Sequence, residues 1–260
     1  MPDLKKEEVQ KCDHCTGAGT LYVVGIGPGA PEHRTLAALT AISNSQVVVG
    51  YSSYMASITD LIGNRQTIST GMRKEIERVR AALEQAAAGN TVSLISSGDA
   101  GIYGMAGLAI ELGAAEFPDV EIEIVPGVTA ASAAAAALGA PLMLDFAVIS
   151  LSDLLVPWDQ IRIRLDGVAK AGLVTVLYNP RSKRRIKQLD EAVEIFGKYR
   201  SAQTPSAVVT NAGSKDEEAC LSDLGHILEL DITMRSIVII TSEAARIVNG
   251  RLVMPRGYAV

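Results

Sequence analysis

From Leu21 onward the chain alternates short runs of apolar, often β-branched residues with longer stretches in which apolar residues recur every three or four positions. These are the periods of strand and helix. LYVVG, QVVVG, TVSLIS, EIEIV, FAVIS, LVTVLY, SAVVT and SIVIIT read as strands, several apolar throughout, as expected where helices cover both faces of a sheet. Helices are predicted over TLAALTAISN, YSSYMASITDLIG, MRKEIERVRAALEQAAAG and MAGLAIELGAA. Further helices are expected at PGVTAASAAAAALG, opened by Pro126 and Gly127, at WDQIRIRLDGVAKA, and at the basic SKRRIKQLDEAVEIF. Asn249-Gly250 between apolar runs predicts a two-residue hairpin turn. The pattern predicts an α/β fold: a flexible arm over 1–19, an N-terminal α/β subdomain over 20–126, and a C-terminal α/β subdomain over 127–260. A ligand site is expected in the cleft between the two halves.

Composition narrows the function. The 260 residues are 48% hydrophobic but only 4% aromatic, which suits small-residue packing between helices and a mostly parallel sheet. A formal charge of -5 gives no electrostatic footprint for nucleic acid. The charged start MPDLKKEEVQKCDHC lacks the apolar centre of a secretory signal, and no run of about 18 apolar residues occurs, so no membrane partner is expected and the cytoplasm is the expected location. The three cysteines, Cys12, Cys15 and Cys220, are too few for a disulfide framework.

Candidate chemistry gathers where strands pass into helices. Gly25-Ile26-Gly27-Pro28-Gly29 follows the first strand, and its glycines would let backbone approach a ligand closely, or simply make a tight turn. The next strand ends VVVGYSS without the acid a dinucleotide fold places there, and no Gly-Lys-Ser/Thr is present, which argues against a Rossmann or P-loop site. SSGDAGIYGMAG carries one acid, Asp99, which is either a local cap or an acceptor for ligand hydroxyl or ammonium groups, with Ile102 on the ligand's apolar parts. In the third junction, Pro126 to Ala130, Thr129 is either a helix cap or a ligand contact. LYNP and TNAGS follow later strands.

Together GIGPG, SSGDAGIYGMAG, VPGVTA, FAVISLSDLLVPW, LYNPRSKRR and PRGYAV resemble the tetrapyrrole methylase family over about residues 21 to 260. ISLSDLLVPW resembles the branch that methylates C17 of precorrin-3B or cobalt-factor III and contracts the ring. The resemblance implies a two-subdomain fold, not Rossmann-type, with S-adenosylmethionine (product S-adenosylhomocysteine) in the inter-domain cleft, usually in a homodimer. It implies cofactor contacts at Pro28, Ser97, Gly98, Asp99, Ile102, Thr129, Ala130, Tyr178, Asn179, Ala212 and Gly213. The branch pattern carries a histidine where this chain has Leu144 and an arginine where it has Ser214, and related methylases often carry an acid where it has Ala30. Two alternatives stay open: a same-fold methylase for another substrate, which basic clusters facing away from the cleft would favour, and, on the departures at Leu144 and Ser214, a cofactor-binding relative with impaired catalysis.

A substrate rich in acetate and propionate groups calls for Arg and Lys. Arg181, Lys183, Arg184 and Arg185 form one cluster, Arg73 and Lys74 another; a solvated helix face is the plainer reading of both. Asp145, Ser150, Ser152 and Asp153 are the acid/base candidates that the branch motif suggests, although Asp153 could cap the following helix. Cys12-Asp13-His14-Cys15 supplies only two strong thiolate ligands, and Cys220 or His33 would have to approach to complete a centre, so no metal is expected.

Overall fold

A computed structural model describes residues 17–258. Cys12, Cys15 and most of the arm expected over 1–19 lie outside the described residues. The chain divides into two compact units. The first holds the described residues up to Val23 with Thr40–Ile95 and Met105–Ile124; the second holds Val24–Leu39, Ser96–Gly104 and the chain from Val125. Two segments that precede residue 126 in sequence thus join the second unit.

The first stretch of chain runs β1 (Thr20–Gly25), α1 (Leu36–Asn44), β2 (Val47–Tyr51), α2 (Ser52–Ala56), α3 (Thr59–Ile62), β3 (Gln66–Thr70), α4 (Glu75–Ala87), β4 (Val92–Ser96), α5 (Ala106–Glu116) and β5 (Glu121–Val125). Its five-stranded sheet has the order β3-β2-β4-β1-β5, with β2 parallel to both β3 and β4. The buried strands match the apolar runs. QTIST, four of five residues polar, escaped the pattern because β3 is an edge strand that needs no continuous apolar face. The single helix expected over YSSYMASITDLIG is instead broken into α2 and α3. At the break the Ser57 hydroxyl donates to Tyr54 O at 2.7 Å, a local bond that competes with helix continuation.

The later chain runs α6 (Ala130–Leu138), β6 (Gly139–Ala140), β7 (Phe146–Ser150), α7 (Trp158–Lys170), β8 (Val174–Tyr178), α8 (Lys187–Gly197), β9 (Pro205–Thr210), β10 (Glu218–Asp223), β11 (Ser236–Ile240), β12 (Arg246–Val248) and β13 (Arg251–Val253). Its main sheet has the order β10-β9-β11-β8-β7. β7 and β8 are parallel, whereas β11 is antiparallel to β8 and β9, and β10 is antiparallel to β9. Strict alternation serves both faces: Val208, Val238 and Ile240 pack with Leu165, Leu189 and Phe196 of the α7/α8 layer, while Val209, Ile237 and Ile239 pack with Ala131, Ala134 and Leu138 of α6. Asn249 (φ 50°) and Gly250 (φ 74°) make the β12–β13 turn in the left-handed region, as the Asn-Gly signal predicts.

Two helix starts differ from the sequence reading. α6 begins at Ala130, later than Pro126 and Gly127, which remain in the extended junction. α8 begins at Lys187, so the basic run before it is a loop. There the Ser182 hydroxyl accepts the N–H groups of Arg184 and Arg185, and Ser182 N donates to Arg185 O at 2.9 Å, closing a turn that keeps the chain out of the helix. Among the described residues no helix is long and apolar enough to cross a membrane.

Candidate active site

The strand-to-helix junctions of the second unit interlock through their backbones. Gly27 and Gly98 form an antiparallel bridge, Gly98 N donating to Gly27 O at 2.8 Å and Gly27 N to Gly98 O at 3.1 Å. A Cβ at Gly25 would stand 2.7 Å from Gly98 O, and one at Gly127 would stand 2.2 Å from the same oxygen. The space that glycine leaves at these two positions is therefore filled by neighbouring backbone, so at Gly25 the tight-turn reading of the first loop is the one the packing favours. Gly98 differs. Its φ of 65° favours glycine, yet a Cβ there would meet nothing closer than 3.9 Å, facing Val128, Thr129 and Ala130. A side chain there would therefore make only ordinary van der Waals contact with the backbone of residues 128–130, where Gly25 and Gly127 would clash.

Asp99 ties two of the loops together. Its Oδ1 accepts Gly101 N at 2.7 Å and Ile102 N at 3.1 Å, and its Oδ2 accepts Gly127 N at 3.0 Å. The structure thus shows the local, loop-capping role of this side chain, which uses three of the roughly four acceptor positions a carboxylate offers. Thr129 does not cap α6. Its hydroxyl lies 2.5 Å from the Tyr178 hydroxyl, and the Tyr178 oxygen accepts Ala131 N at 2.8 Å, so a tyrosine from β8 satisfies the first turn of α6. Burial pushes the Tyr178 hydroxyl pKa up, against the lowering effect of these hydrogen bonds. Ala130 N has no partner among the described residues.

The fourth and fifth junctions turn on asparagines. Asn179 (φ 51°) and Asn211 (φ 54°) directly follow β8 and β9 and adopt the left-handed conformation that asparagine tolerates well. Asn179 Nδ2 donates to the Ser150 hydroxyl at 3.0 Å, and its carbonyl accepts Arg185 Nη2 at 2.8 Å. Ala212 and Gly213 are buried, and Gly213 O accepts both Ala30 N at 2.7 Å and His33 Nδ1 at 3.2 Å, docking the fifth loop on the first. A Cβ at Gly213 would come 2.5 Å from the Pro28 ring. The structure therefore brings Pro28, Ser97, Gly98, Asp99, Ile102, Thr129, Ala130, Tyr178, Asn179, Ala212 and Gly213 into one connected set of loops.

The other expected residues are less concentrated. Arg181 is paired with Asp190 at 2.7 Å, and Arg184 and Lys183 are exposed in the loop before α8. Burial pulls the Arg185 pKa down. Arg73 and Lys74 are exposed residues of the first unit, Lys74 pairing with Glu77 at 2.8 Å. Asp145 is exposed just before β7, and Ser152 N donates to the Ser150 hydroxyl. Asp153 accepts Gln188 Nε2 at 2.9 Å and caps no helix, since α7 starts at Trp158 after Pro157. Leu144 is exposed, and Ser214 packs its Cβ against the position a Gly29 side chain would occupy. Cys220 is exposed on β10, and among the described residues no group of three His, Cys, Asp or Glu is placed to hold a metal ion.

One residue of the cluster has no sequence signal. Tyr103 sits at φ 55°, a conformation that costs a bulky side chain roughly 1–3 kcal/mol. Its hydroxyl donates to Val148 O at 3.1 Å, and its ring centroid lies 5.3 Å from that of Tyr178. No propensity rule places a tyrosine there.

The comparisons with known proteins agree with this architecture. A family model described as Tetrapyrrole (Corrin/Porphyrin) Methylases matches residues 20–228. A probable cobalt-factor III C(17)-methyltransferase of Salmonella typhimurium is 47% identical over 92% of this chain and 100% of its own length. The precorrin-3B C(17)-methyltransferase of a Sinorhizobium species is 42% identical over 88% of this chain and 91% of its own. A crystal structure of the methyltransferase CobJ superposes with a TM-score of 0.86 at 33% identity, covering 92% of this chain and 100% of that one. A match of this extent, carried through the same loops that the structure interlocks, makes the chain a member of the tetrapyrrole methylase family.

Proposed function

We propose that the chain is an S-adenosylmethionine-dependent methyltransferase that methylates C17 of cobalt-factor III, with contraction of the macrocycle, in cobalamin biosynthesis. The observation that carries the reading is the full-length likeness at 47% identity to a protein of that name. The precorrin-3B enzyme is 42% identical, so the metal-free macrocycle is the second substrate to compare. A homodimer acting in the cytoplasm accompanies the proposal, on the resemblance to the family.

The residues present suit the cofactor. Ser97 is exposed, Ala130 N has no partner among the described residues, and the backbone of residues 128–130 stands no closer than ordinary contact distance to a Gly98 Cβ, so a hydroxyl and an N–H donor are available where these loops meet. When bound there, the sulfonium supplies an electrophilic methyl group. Ser97, Gly98, Thr129 and Ala130 would hold it, with Ile102 against its apolar parts and Asp99 fixing the shape of two of the loops. Pro28, Tyr178, Asn179, Ala212 and Gly213 complete the contacts. Because the bound cofactor would itself supply the electrophile, no enzyme nucleophile would be needed, and the contribution of these residues would be orientation and exclusion of water. Among the basic residues Lys183 and Arg184 are free to meet substrate carboxylates, whereas Arg181 is already neutralised by Asp190; Arg73 and Lys74 are further candidates. Asp145, Ser152 and Asp153 remain the proposed acid/base groups for ring contraction.

The test is a competition between cobalt-factor III and precorrin-3B for methyl-labelled cofactor, with the labelled carbon located by NMR. Label at C17 of the cobalt-loaded product supports the proposal. Label at another carbon, or transfer to the metal-free macrocycle alone, overturns its substrate assignment.

A further inference from the structure

The loop that follows β4 holds an aromatic side chain in a conformation for which glycine or asparagine is better suited. Tyr103 has φ 55°, and the chain on either side of it is tied down. Asp99 binds the N–H groups of Gly101 and Ile102, and a Cβ at Gly104 would come 2.3 Å from Ala100 O. The ring is not core filler, since Tyr103 is 54% exposed and its neighbour Ile102 is 41% exposed. It is nevertheless fixed at both ends: the hydroxyl on Val148 O at the edge of the sheet, and the ring against Tyr178 at 5.3 Å and 55°. Phe146, two residues before Val148 and therefore on the same face of β7, is exposed as well.

We propose that Tyr103 is a substrate-binding platform: the exposed face of its ring stacks on the flat conjugated macrocycle and sets its height against the cofactor loops. This rests on the reading of the chain as a tetrapyrrole methylase acting on cobalt-factor III. A conjugated ring system is the ligand class that gains most from an aromatic face held rigid in advance, because stacking then costs little side-chain ordering. The strain at φ 55° is the local cost of that placement, and the anchors at Val148 and Tyr178 hold it in place. The cofactor contacts are distributed over other residues of the loops, so the platform separates binding of the two ligands.

The experiment compares the wild type with Tyr103→Phe, Tyr103→Gly and Tyr103→Asn. Cobalt-factor III is titrated by absorbance under nitrogen, S-adenosylhomocysteine by calorimetry, and each protein is unfolded thermally. Tyr103→Gly and Tyr103→Asn relieve the backbone and remove the ring. They are expected to melt no lower than the wild type, to bind S-adenosylhomocysteine unchanged, and to bind the macrocycle about tenfold more weakly. Tyr103→Phe keeps the ring and stays within about threefold of wild-type macrocycle affinity. Unchanged macrocycle affinity in the ring-less variants overturns the proposal and marks Tyr103 as a clamp on the sheet edge. Equal weakening of both ligands also overturns it, since the residue would then serve the loop's shape. A wild type that binds S-adenosylhomocysteine but no macrocycle removes the substrate reading and the platform together.

Discussion

The Asp99 carboxylate accepts N–H groups from its own loop and from Gly127, so one short side chain holds two strand-to-helix junctions in register. Asp99→Asn keeps the shape but turns an amide N–H₂ toward backbone donors or gives up one of these bonds. A loss of about 2 kcal/mol in urea unfolding is expected, from hydrogen bonds to a charged acceptor, together with weaker S-adenosylhomocysteine binding. Unchanged stability with weakened binding would assign the carboxylate to the ligand alone. Elsewhere at this scale, Asp223 Oδ1 lies 2.8 Å from His226 Nδ1, which raises the His226 pKa and lowers that of Asp223. The raised histidine contributes stability that is full below its unfolded value and fades as pH rises through the folded one. The depressed aspartate contributes above its unfolded value and loses that contribution as pH falls through the folded one. Both side chains are solvent-facing, so the readout is NMR: Asp223→Asn should return the His226 titration to about 6.5, and an unmoved midpoint would contradict the pairing.

Among the elements, α6 shows how far pattern reading reaches. The Ala-rich run announces a helix, and Thr129 is a sound cap by type, but the cap is a hydroxyl from β8, distant in sequence. Tyr178→Phe leaves Ala131 N and the Thr129 hydroxyl without this partner. It is expected to lower stability by about 1–2 kcal/mol, the usual worth of a cap and its hydrogen bonds, and a thermal melt measures it. No change in melting would mean that water or Thr129 replaces the tyrosine at no cost. The strands with apolar runs and the Asn-Gly hairpin were legible because period and turn chemistry are local. The edge strands β3 and β10 were not, since β3 is polar at four of its five positions and β10 has no continuous apolar run beyond residues 219–221, and each is specified by its neighbour.

For the whole molecule, the candidate site was legible as five loops because each carries glycine, proline or asparagine at a strand end. The sequence did not disclose that Gly25 and Gly127 make room for Gly98 O, that a side chain at Gly98 would meet the backbone of residues 128–130 only at ordinary contact distance, or that Tyr103 is strained, because these are facts of packing between segments distant along the chain. It also did not show that Arg181 is held by Asp190 while Lys183 and Arg184 stay exposed in one loop, since ion pairing depends on where α8 begins. The family relationship joins these loops to one reaction, transfer of a methyl group to a tetrapyrrole carbon. The measurement that tests this most directly is an anaerobic incubation of the purified protein with S-adenosylmethionine and cobalt-factor III, followed by mass spectrometry of the macrocycle and assay of S-adenosylhomocysteine. The account predicts one added methyl group and an equimolar amount of S-adenosylhomocysteine; cofactor binding without methylation, beside an active control enzyme, would contradict it.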